Sequence, residues 1–274
     1  MKYTKISLIM REVPPYFIGS QIRGGLGVAL RRVSCINPKQ ICDGCFGAQN
    51  CVYYDFFERK NTYHDFRLDF ELGKSFYDFS ILLFEKSCEK APYIISALHL
   101  LLSKIGLGKD KKTFAKFDIF VNETSCFDGE NIKLPPNLTQ NIIIDEFKNK
   151  LNLKLITPLR IKKENKFIRD DSIELSDVIK SIYMRQMRIL GKEFKNFPYE
   201  IQGEIVEKNL KFIELTRYSN RQKTKMQLGG IIGEMKITNL NKECYEVLKL
   251  GEILGVGKSC AFGLGKIVVE SSDE

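Results

Sequence analysis

The sequence contains no run of apolar residues approaching the roughly 18 that a membrane-spanning helix needs. Its N-terminal apolar stretch is interrupted by Lys5 and Arg11, which is not the pattern of a secretory signal. We therefore expect a cytoplasmic protein without a membrane partner. Because thiols stay reduced in that compartment, we expect the eight cysteines to be free thiols or metal ligands rather than disulfides.

The sequence also lacks a complete nucleotide-binding P-loop, although Gly257-Lys258-Ser259 resembles the end of one. A P-loop needs a glycine five positions before its Gly-Lys pair, and Glu252 occupies that position. A P-loop nucleotidase is therefore only a remote alternative, which ATP binding lost on Lys258→Ala would revive.

Basic residues exceed acidic ones. Lysine and arginine number 43 against 34 aspartate and glutamate, giving a net charge of +9 and a pI near 9.0. Such an excess favours a polyanionic partner, since cations release counterions from a phosphate backbone. A general enrichment in lysine is the alternative.

Hydrophobic periodicity predicts one order of elements twice: strand, helix, strand, strand, helix, strand. In the first half we predict strands at 3–10, 64–72, 78–86 and 112–120, and helices at 19–34 and 91–106. In the second half we predict strands at 153–161, 210–218, 229–237 and 262–269, and helices at 175–190 and 242–254.

Gly-Leu-Gly-Lys occurs at 106–109 and again at 263–266, before the last strand of each half, which indicates duplication. We therefore predict an α+β fold of tandem ferredoxin-like (RRM-like, βαββαβ) domains with a small four-cysteine insertion. The predicted parts are an N-terminal domain, a linker and a C-terminal domain, at 1–125 (insertion at about 35–60), 126–150 and 151–274.

Four glycines lie between the last predicted helix and strand: Gly255, Gly257, Gly263 and Gly265. Glycine allows a sharp turn and a close approach of a ligand to the backbone. Backbone N–H groups freed there can bind phosphate oxygens. A glycine-rich connection with no ligand is the alternative.

The insertion has the spacing C-x6-C-x2-C-x5-C, formed by Cys35, Cys42, Cys45 and Cys51. Four thiolates around a C-x2-C turn favour a structural zinc, with an iron–sulfur cluster or metal-free thiols as alternatives. The other cysteines are scattered, and we expect them to fill the core.

Residues 217–230 carry several cations and no acid, between two predicted strands. Tyr218 and the polar residues among the cations suit phosphate contact and base stacking. A solvated loop is the alternative reading. The first predicted helix adds Arg23, Arg31 and Arg32.

Several segments in this order resemble the CRISPR-associated precursor-RNA processing endoribonucleases of the RAMP superfamily. The segment "RGGLGVALRRVSC…CDGC…CVYYDFFE" resembles the first helix and Cys-rich insertion of one branch of that family. The other segments are "LITPLRI", "RYSNRQ", "LGGIIGEM" and "LGEILGVGKSCAFGLGK". The resemblance implies two ferredoxin-like domains and metal-independent cleavage of CRISPR repeat RNA. The ribose 2′-hydroxyl then attacks the adjacent phosphate, leaving a 2′,3′-cyclic phosphate and a 5′-hydroxyl. It also implies single-stranded or stem-loop repeat RNA and CRISPR effector subunits as partners.

Many relatives use a histidine, and this chain has two, His64 and His99. The candidate catalytic residues are Tyr218, Arg221, Lys258 and His64. The candidate RNA-binding residues are Arg23, Arg31, Arg32, Arg217, Ser219, Gln222, Lys223, Lys225, Gly255, Gly257, Ser259, Gly263, Gly265 and Lys266. The alternative function is a non-catalytic RNA-binding RAMP subunit of a CRISPR complex.

Overall fold

The computed structural model describes residues 1–59, 63–193, 195–219 and 224–272, without the side chains at 218 and 219. No helix in these ranges is long and apolar enough to cross a membrane. The chain forms two compact units. The first comprises Met1–Leu68 and Gly73–Asn141, and the second Asp69–Leu72 and Ile142–Glu274.

The first unit is a sheet with two main helices. Its elements are β1 (Lys2–Met10), α1 (Gly19–Ser34), β2 (Phe66–Phe70), β3 (Tyr77–Phe84), α2 (Ala91–Leu100), β4 (Asp118–Val121), β5 (Thr124–Ser125) and β6 (Gln140–Asn141). Of its strand β2, Asp69 and Phe70 group with the second unit. The strand order is β2-β3-β1-β4-β5, with β6 pairing β1. Because β1 pairs antiparallel with both β3 and β4, the topology is ferredoxin-like.

Alternation along β1 builds the core of this unit. Ile6, Leu8 and Met10 are buried, while the residues between them are partly exposed. Helix α1 contributes Ile22, Leu26 and Leu30 to the core. A Cβ on Gly25 of α1 would lie only 2.8 Å from Leu101 Cδ1, so this glycine lets α1 approach the turn after α2.

The second unit repeats the plan. Its elements are β7 (Leu151–Leu159), β8 (Lys162–Lys163), β9 (Lys166–Phe167), α3 (Leu175–Ile189), β10 (Glu204–Ile213), β11 (Thr216–Ser219), β12 (Thr224–Gln227), β13 (Gly230–Thr238), α4 (Lys242–Leu254) and β14 (Ile267–Ser271). The main sheet has the order β10-β13-β7-β14, and β11 with β12 forms a separate ribbon. The predicted pair of ferredoxin-like folds is confirmed.

Strand β7 contains Pro158, a residue that fits only an edge or a bulge. The strand is central, and its pairing with β13 shifts register between Ile231 and Gly233, opposite Leu159 and Leu155. The bulge therefore accommodates the missing N–H of the proline.

Two predicted strands have different bounds in the structure. The strand expected at 210–218 divides: β10 begins earlier, at Glu204, and ends at Ile213, and β11 covers Thr216–Ser219. The early start of β10 was missed because the strand is largely exposed and alternates only weakly. The strand expected at 262–269 begins only at Ile267. Residues 126–141, which the sequence analysis placed in a linker, group with the first unit.

Candidate nucleic-acid interface

The glycine-rich loop, residues 255–265, joins α4 to β14 and needs glycine at two positions in particular. Gly257 and Gly265 have φ angles of +78° and +72°. A Cβ on Gly257 would lie 2.5 Å from the carbonyl oxygen of Arg160, and one on Gly265 would lie 1.8 Å from that of Val256. Both distances are too short for a real contact, so a side chain at either position would displace the backbone.

The first part of the loop is fixed by hydrogen bonds to its own unit. The Gly257 N–H donates to Ser181 Oγ on α3 at 3.0 Å. The Lys258 N–H donates to the carbonyl of Arg160 at 2.8 Å. These two amides are satisfied within the unit and are not available to phosphate oxygens.

The last part of the loop is held by the end of β7. Thr157 is fully buried; its hydroxyl donates to the Gly263 carbonyl at 2.8 Å and accepts from the Lys266 N–H at 2.9 Å. The Gly265 N–H donates to the carbonyl of Pro158 at 3.1 Å. Both ends of the loop are thus held against the end of β7.

Lys258 is the cation that this rigid loop presents. Its side chain is exposed, and it forms no ion pair within the described ranges. The neighbouring Ser259 is partly exposed with φ of +69°. The flanking backbone is held by hydrogen bonds, so the point from which the Lys258 side chain extends is defined.

Arginines next to the loop pack on phenylalanine rings. The Arg217 guanidinium lies 4.4 Å from the ring centre of Phe262, and its Nη2 lies 2.9 Å from Met226 Sδ. Burial lowers the pKa of Arg217, but an arginine remains charged. Arg217, predicted to bind RNA, thus contacts the loop and the β11–β12 ribbon.

Two further pairs lie in this unit. Arg160 packs 4.3 Å from the ring centre of Phe167 and donates from Nη1 to the carbonyl of Gly229. Arg169 lies 5.3 Å from the ring centre of Phe212. We call the three pairs the arginine–phenylalanine cluster: Arg160, Phe167, Arg169, Phe212, Arg217 and Phe262.

The other predicted RNA-binding residues of the second unit differ in exposure and in ion pairing. Lys225 on β12 is exposed. Lys266 Nζ lies 3.3 Å from Asp69 Oδ2 and 3.7 Å from Glu71 Oε1, so its charge is largely compensated. Arg221, Gln222 and Lys223 lie outside the described residues, as do the side chains of Tyr218 and Ser219.

In the first unit, two of the three predicted arginines stabilise the insertion. Arg23 lies 5.1 Å from the ring centre of Phe57, and Arg31 lies 5.3 Å from that of Tyr53. Burial and a 2.9 Å hydrogen bond to Glu58 raise the pKa of Tyr53 to about 12. Arg32 is exposed.

The four insertion cysteines are free and partly exposed. Cys35 Sγ lies 3.6 Å from the carbonyl of Asn37, whose side-chain amide lies 3.7 Å from Cys45 Sγ. Burial raises the pKa of Cys42. No group of three or more His, Cys, Asp or Glu in the part of the chain that the structure describes is arranged to hold a metal, so the predicted zinc at Cys35, Cys42, Cys45 and Cys51 is not supported. The other cysteines are buried core residues, as predicted: Cys88, Cys126, Cys244 and Cys260.

The two histidines have different surroundings. The His99 ring lies 5.8 Å from that of Phe117 and 5.2 Å from that of Phe127. Burial, with Lys104 nearby, lowers the pKa of His99 and favours its neutral form. His64 precedes β2, lies 5.5 Å from the ring of Phe66 and lines an open cavity of the first unit.

Each half of the chain matches a model of a known protein family. Residues 153–267 match the model of the CRISPR-associated endoribonuclease Cas6, and residues 10–133 match an N-terminal domain model named AF_1859_N. An uncharacterized protein of Archaeoglobus fulgidus is 23% identical over 283 residues, covering 95% of this chain and 93% of the relative.

Solved structures share the fold. A Cas6 product complex matches with a TM-score of 0.59 and 15% identity, covering 98% of this chain and 100% of the other. A Thermus thermophilus Cas6 matches with a TM-score of 0.53 and 13% identity, covering 98% and 97%. A structure described as a RAMP protein binding different RNA substrates matches with a TM-score of 0.50 and 10% identity, covering 98% and 99%.

Gly265→Ala should destabilise the second unit by more than about 1 kcal/mol, because the new Cβ clashes with the backbone at a positive φ. Chemical denaturation measures the free energy of unfolding. Gly24→Ala is the matched control, since no atom lies within 4 Å of its added Cβ. Equal stability of the two variants would mean that the loop is not rigid.

Acidification below about pH 6.5 should reduce the free energy of unfolding, because His99 binds a proton more readily in the unfolded chain than in the folded one. The stability that neutral His99 contributes to the folded state is present above the ordinary histidine pKa and is lost as the pH falls through that pKa. Denaturation of wild type and His99→Leu at several pH values measures it. The variant should show a smaller slope, and an unchanged slope would contradict the assignment.

Proposed function

We propose that the chain is a Cas6-type protein, because residues 153–267 match the model of the CRISPR-associated endoribonuclease Cas6, and that it cleaves CRISPR repeat RNA in precursor transcripts to make guide RNAs. The ribose 2′-oxygen loses its proton and bonds to the adjacent phosphorus, and the bond to the 5′-oxygen breaks. The 5′-oxygen takes up a proton, leaving a 2′,3′-cyclic phosphate and a 5′-hydroxyl. Because the ribose supplies the nucleophile, the reaction needs no metal-bound water.

The observation that best supports this function is the exposed Lys258, carried by a loop whose backbone is held by hydrogen bonds. Its ammonium can stabilise the negative charge of the pentacoordinate phosphate. The nearby arginine–phenylalanine cluster combines positive charge with aromatic faces, the two features that bind single-stranded RNA. We assign Tyr218 and Arg221 to the same phosphate.

The proposed acid–base group is His64. The alternative, His99, packs between two phenylalanines with its neutral form favoured. General acid–base catalysis adds about 10²- to 10⁴-fold to a rate.

A second candidate function is a non-catalytic RNA-binding subunit of a CRISPR complex. One sequence feature favours it: neither histidine lies in the second unit, which carries the Cas6 domain. In that case Lys258 and the arginine–phenylalanine cluster bind RNA without cleaving it.

Incubating the pure protein with end-labelled repeat RNA in EDTA should give one cut with a 2′,3′-cyclic phosphate. Lys258→Ala should lower the single-turnover rate by about 10²-fold, because a transition-state donor is lost. Lys242→Ala, an exposed lysine at the first residue of α4, removes the same charge and is the control. Tight binding of uncut RNA by wild type would support the second candidate instead.

RNA affinity should fall in the Arg169→Ala, Lys225→Ala double variant, and the salt dependence of binding should weaken by about 0.7 for each lost phosphate contact. Filter binding over a range of salt concentrations measures both. The matched control is Arg11→Ala with Lys116→Ala, two exposed cations of the first unit. An equal effect in both variants would show that only net charge matters.

A further inference from the structure

The Gly-Leu-Gly-Lys segment at 106–109 of the first unit has no part in the proposed function, although it repeats a motif of the second unit. It directly follows the helical turn Leu101–Ile105, which continues α2. Its letters are those of 263–266, but the second unit also contains the similar segment Gly-Val-Gly-Lys at 255–258. Backbone angles show which of the two is its structural counterpart.

The glycine that ends each helix has the same conformation in both units. Gly106 has φ of +83° and ψ of 160°, and Gly255, at the end of α4, has φ of +78° and ψ of 163°. Gly263, the match that the letters suggest, has φ of +80° and ψ of only 11°. The structural counterpart of 106–109 is therefore 255–258.

The rest of the segment corresponds as well. Gly108 and Gly257 both have φ of +78°. The residue between the two glycines is buried in both loops. Lys109 and Lys258 follow the second glycine and are both exposed. Each unit thus presents one lysine from the same kind of glycine-framed backbone.

Backbone hydrogen bonds close residues 107–112, which we call the lysine turn. The Leu107 N–H donates to the carbonyl of Lys112 at 2.8 Å, and the Lys112 N–H donates to the carbonyl of Leu107 at 3.0 Å. A Cβ on Gly106 would lie 2.0 Å from the carbonyl oxygen of Lys111, so only glycine fits at that position. The point from which Lys109 extends is therefore defined.

The lysine turn differs from its counterpart in the N–H groups that it leaves free. The N–H groups of Gly257 and Lys258 are already bonded within the second unit. Those of residues 108–111 donate to no group in the part of the chain that the structure describes. Successive N–H groups in a turn with positive φ can bind an anion, so the first unit keeps available what the second unit has used.

Positive charge surrounds these free N–H groups. Lys109, Lys111 and Lys112 are exposed and form no ion pair within the described ranges. Asp110 is the one acid of the turn, so three cations stand against a single carboxylate. Lysine binds phosphate as a point charge, and free amides add hydrogen bonds to its oxygens. The turn therefore has the chemistry of a phosphate site.

We propose that the lysine turn binds a phosphate of the RNA backbone, with Lys109 in the place that Lys258 occupies in the second unit. The choice of RNA rests on the proposed function, since free phosphate offers the same chemistry. A contact to phosphate alone positions the RNA without reading its bases. The turn therefore adds affinity rather than sequence preference.

The test compares Lys109→Ala with Lys39→Ala, which removes the same charge from an exposed lysine of the cysteine insertion. Fluorescence anisotropy measures the affinity for labelled single-stranded repeat RNA over a range of salt concentrations. Lys109→Ala should bind about three- to tenfold more weakly than wild type, and its salt dependence should weaken by about 0.7 for the lost phosphate contact. Lys39→Ala should match wild type. An equal loss in both variants, or a loss in neither, would overturn the proposal.

Gly108→Ala tests the position of the lysine without changing any charge. Its φ of +78° strains a side chain, and the new Cβ would lie 2.8 Å from Gln21 Nε2. RNA affinity should fall as in Lys109→Ala, whereas Gly24→Ala, whose Cβ meets no atom within 4 Å, should not change it. Thermal unfolding verifies that the variants fold. Unchanged affinity of Gly108→Ala would contradict a positioned lysine.

Acetylation footprinting locates the contact independently, because bound RNA should protect Lys109 and leave Lys39 reactive. If wild type binds and cuts RNA while Lys109→Ala behaves as the control and Lys109 stays reactive, the lysine turn is not an RNA site and the proposed function stands. If wild type binds RNA without cutting it and Lys109 is protected, the lysine turn stands and the proposed cleavage is wrong.

Calorimetry with inorganic phosphate distinguishes the two sources of the anion. If wild type binds phosphate but no RNA, and Lys109→Ala loses that binding, the turn is a site for free phosphate and RNA is the wrong ligand. If wild type binds neither, the proposed site is wrong altogether.

Discussion

Hydrogen bonding between the end of β7 and the glycine-rich loop is the constraint on which the second unit depends. The hydroxyl of Thr157 and the carbonyls of Pro158 and Arg160 accept from the loop, and Thr157 also donates to it. Arg185 of α3, itself nearly buried, donates to the last carbonyl of α4 at Leu254. These bonds satisfy polar groups that would otherwise be costly to bury. They also fix the place from which Lys258 extends.

Packing of arginine on aromatic rings preserves the positive charge of both units. A carboxylate next to a guanidinium compensates its charge, so the pair has no net charge. A guanidinium on an aromatic ring gains cation–π attraction, and its charge is not compensated. Arg31 on Tyr53 and Arg217 on Phe262 follow this second arrangement. Lys266 shows the contrast, because two carboxylates compensate it. Arg31 and Arg217 are therefore packed without loss of their charge.

The pattern of elements could be predicted from the sequence because amphipathic helices and alternating strands repeat apolar residues at fixed intervals. The bounds of β10 and β14 could not be predicted from the sequence. Exposed residues weaken the alternation of β10, and positive φ angles at Gly263 and Gly265 delay the start of β14. No local signal placed Arg23 against Phe57, since this contact joins segments distant in the chain.

The sequence alone determined the doubled ferredoxin-like plan, the basic charge and the need for glycine before the last strand, because each follows from local composition and spacing. Tertiary structure decided what the glycines do: a Cβ at Gly257 or Gly265 would meet the backbone of Arg160 or Val256. It also decided that the loop amides bond to their own unit and that Arg23 and Arg31 pack on the insertion. Those outcomes depend on which groups meet after folding, and a hydrogen bond or ring contact is available only to groups within a few ångströms.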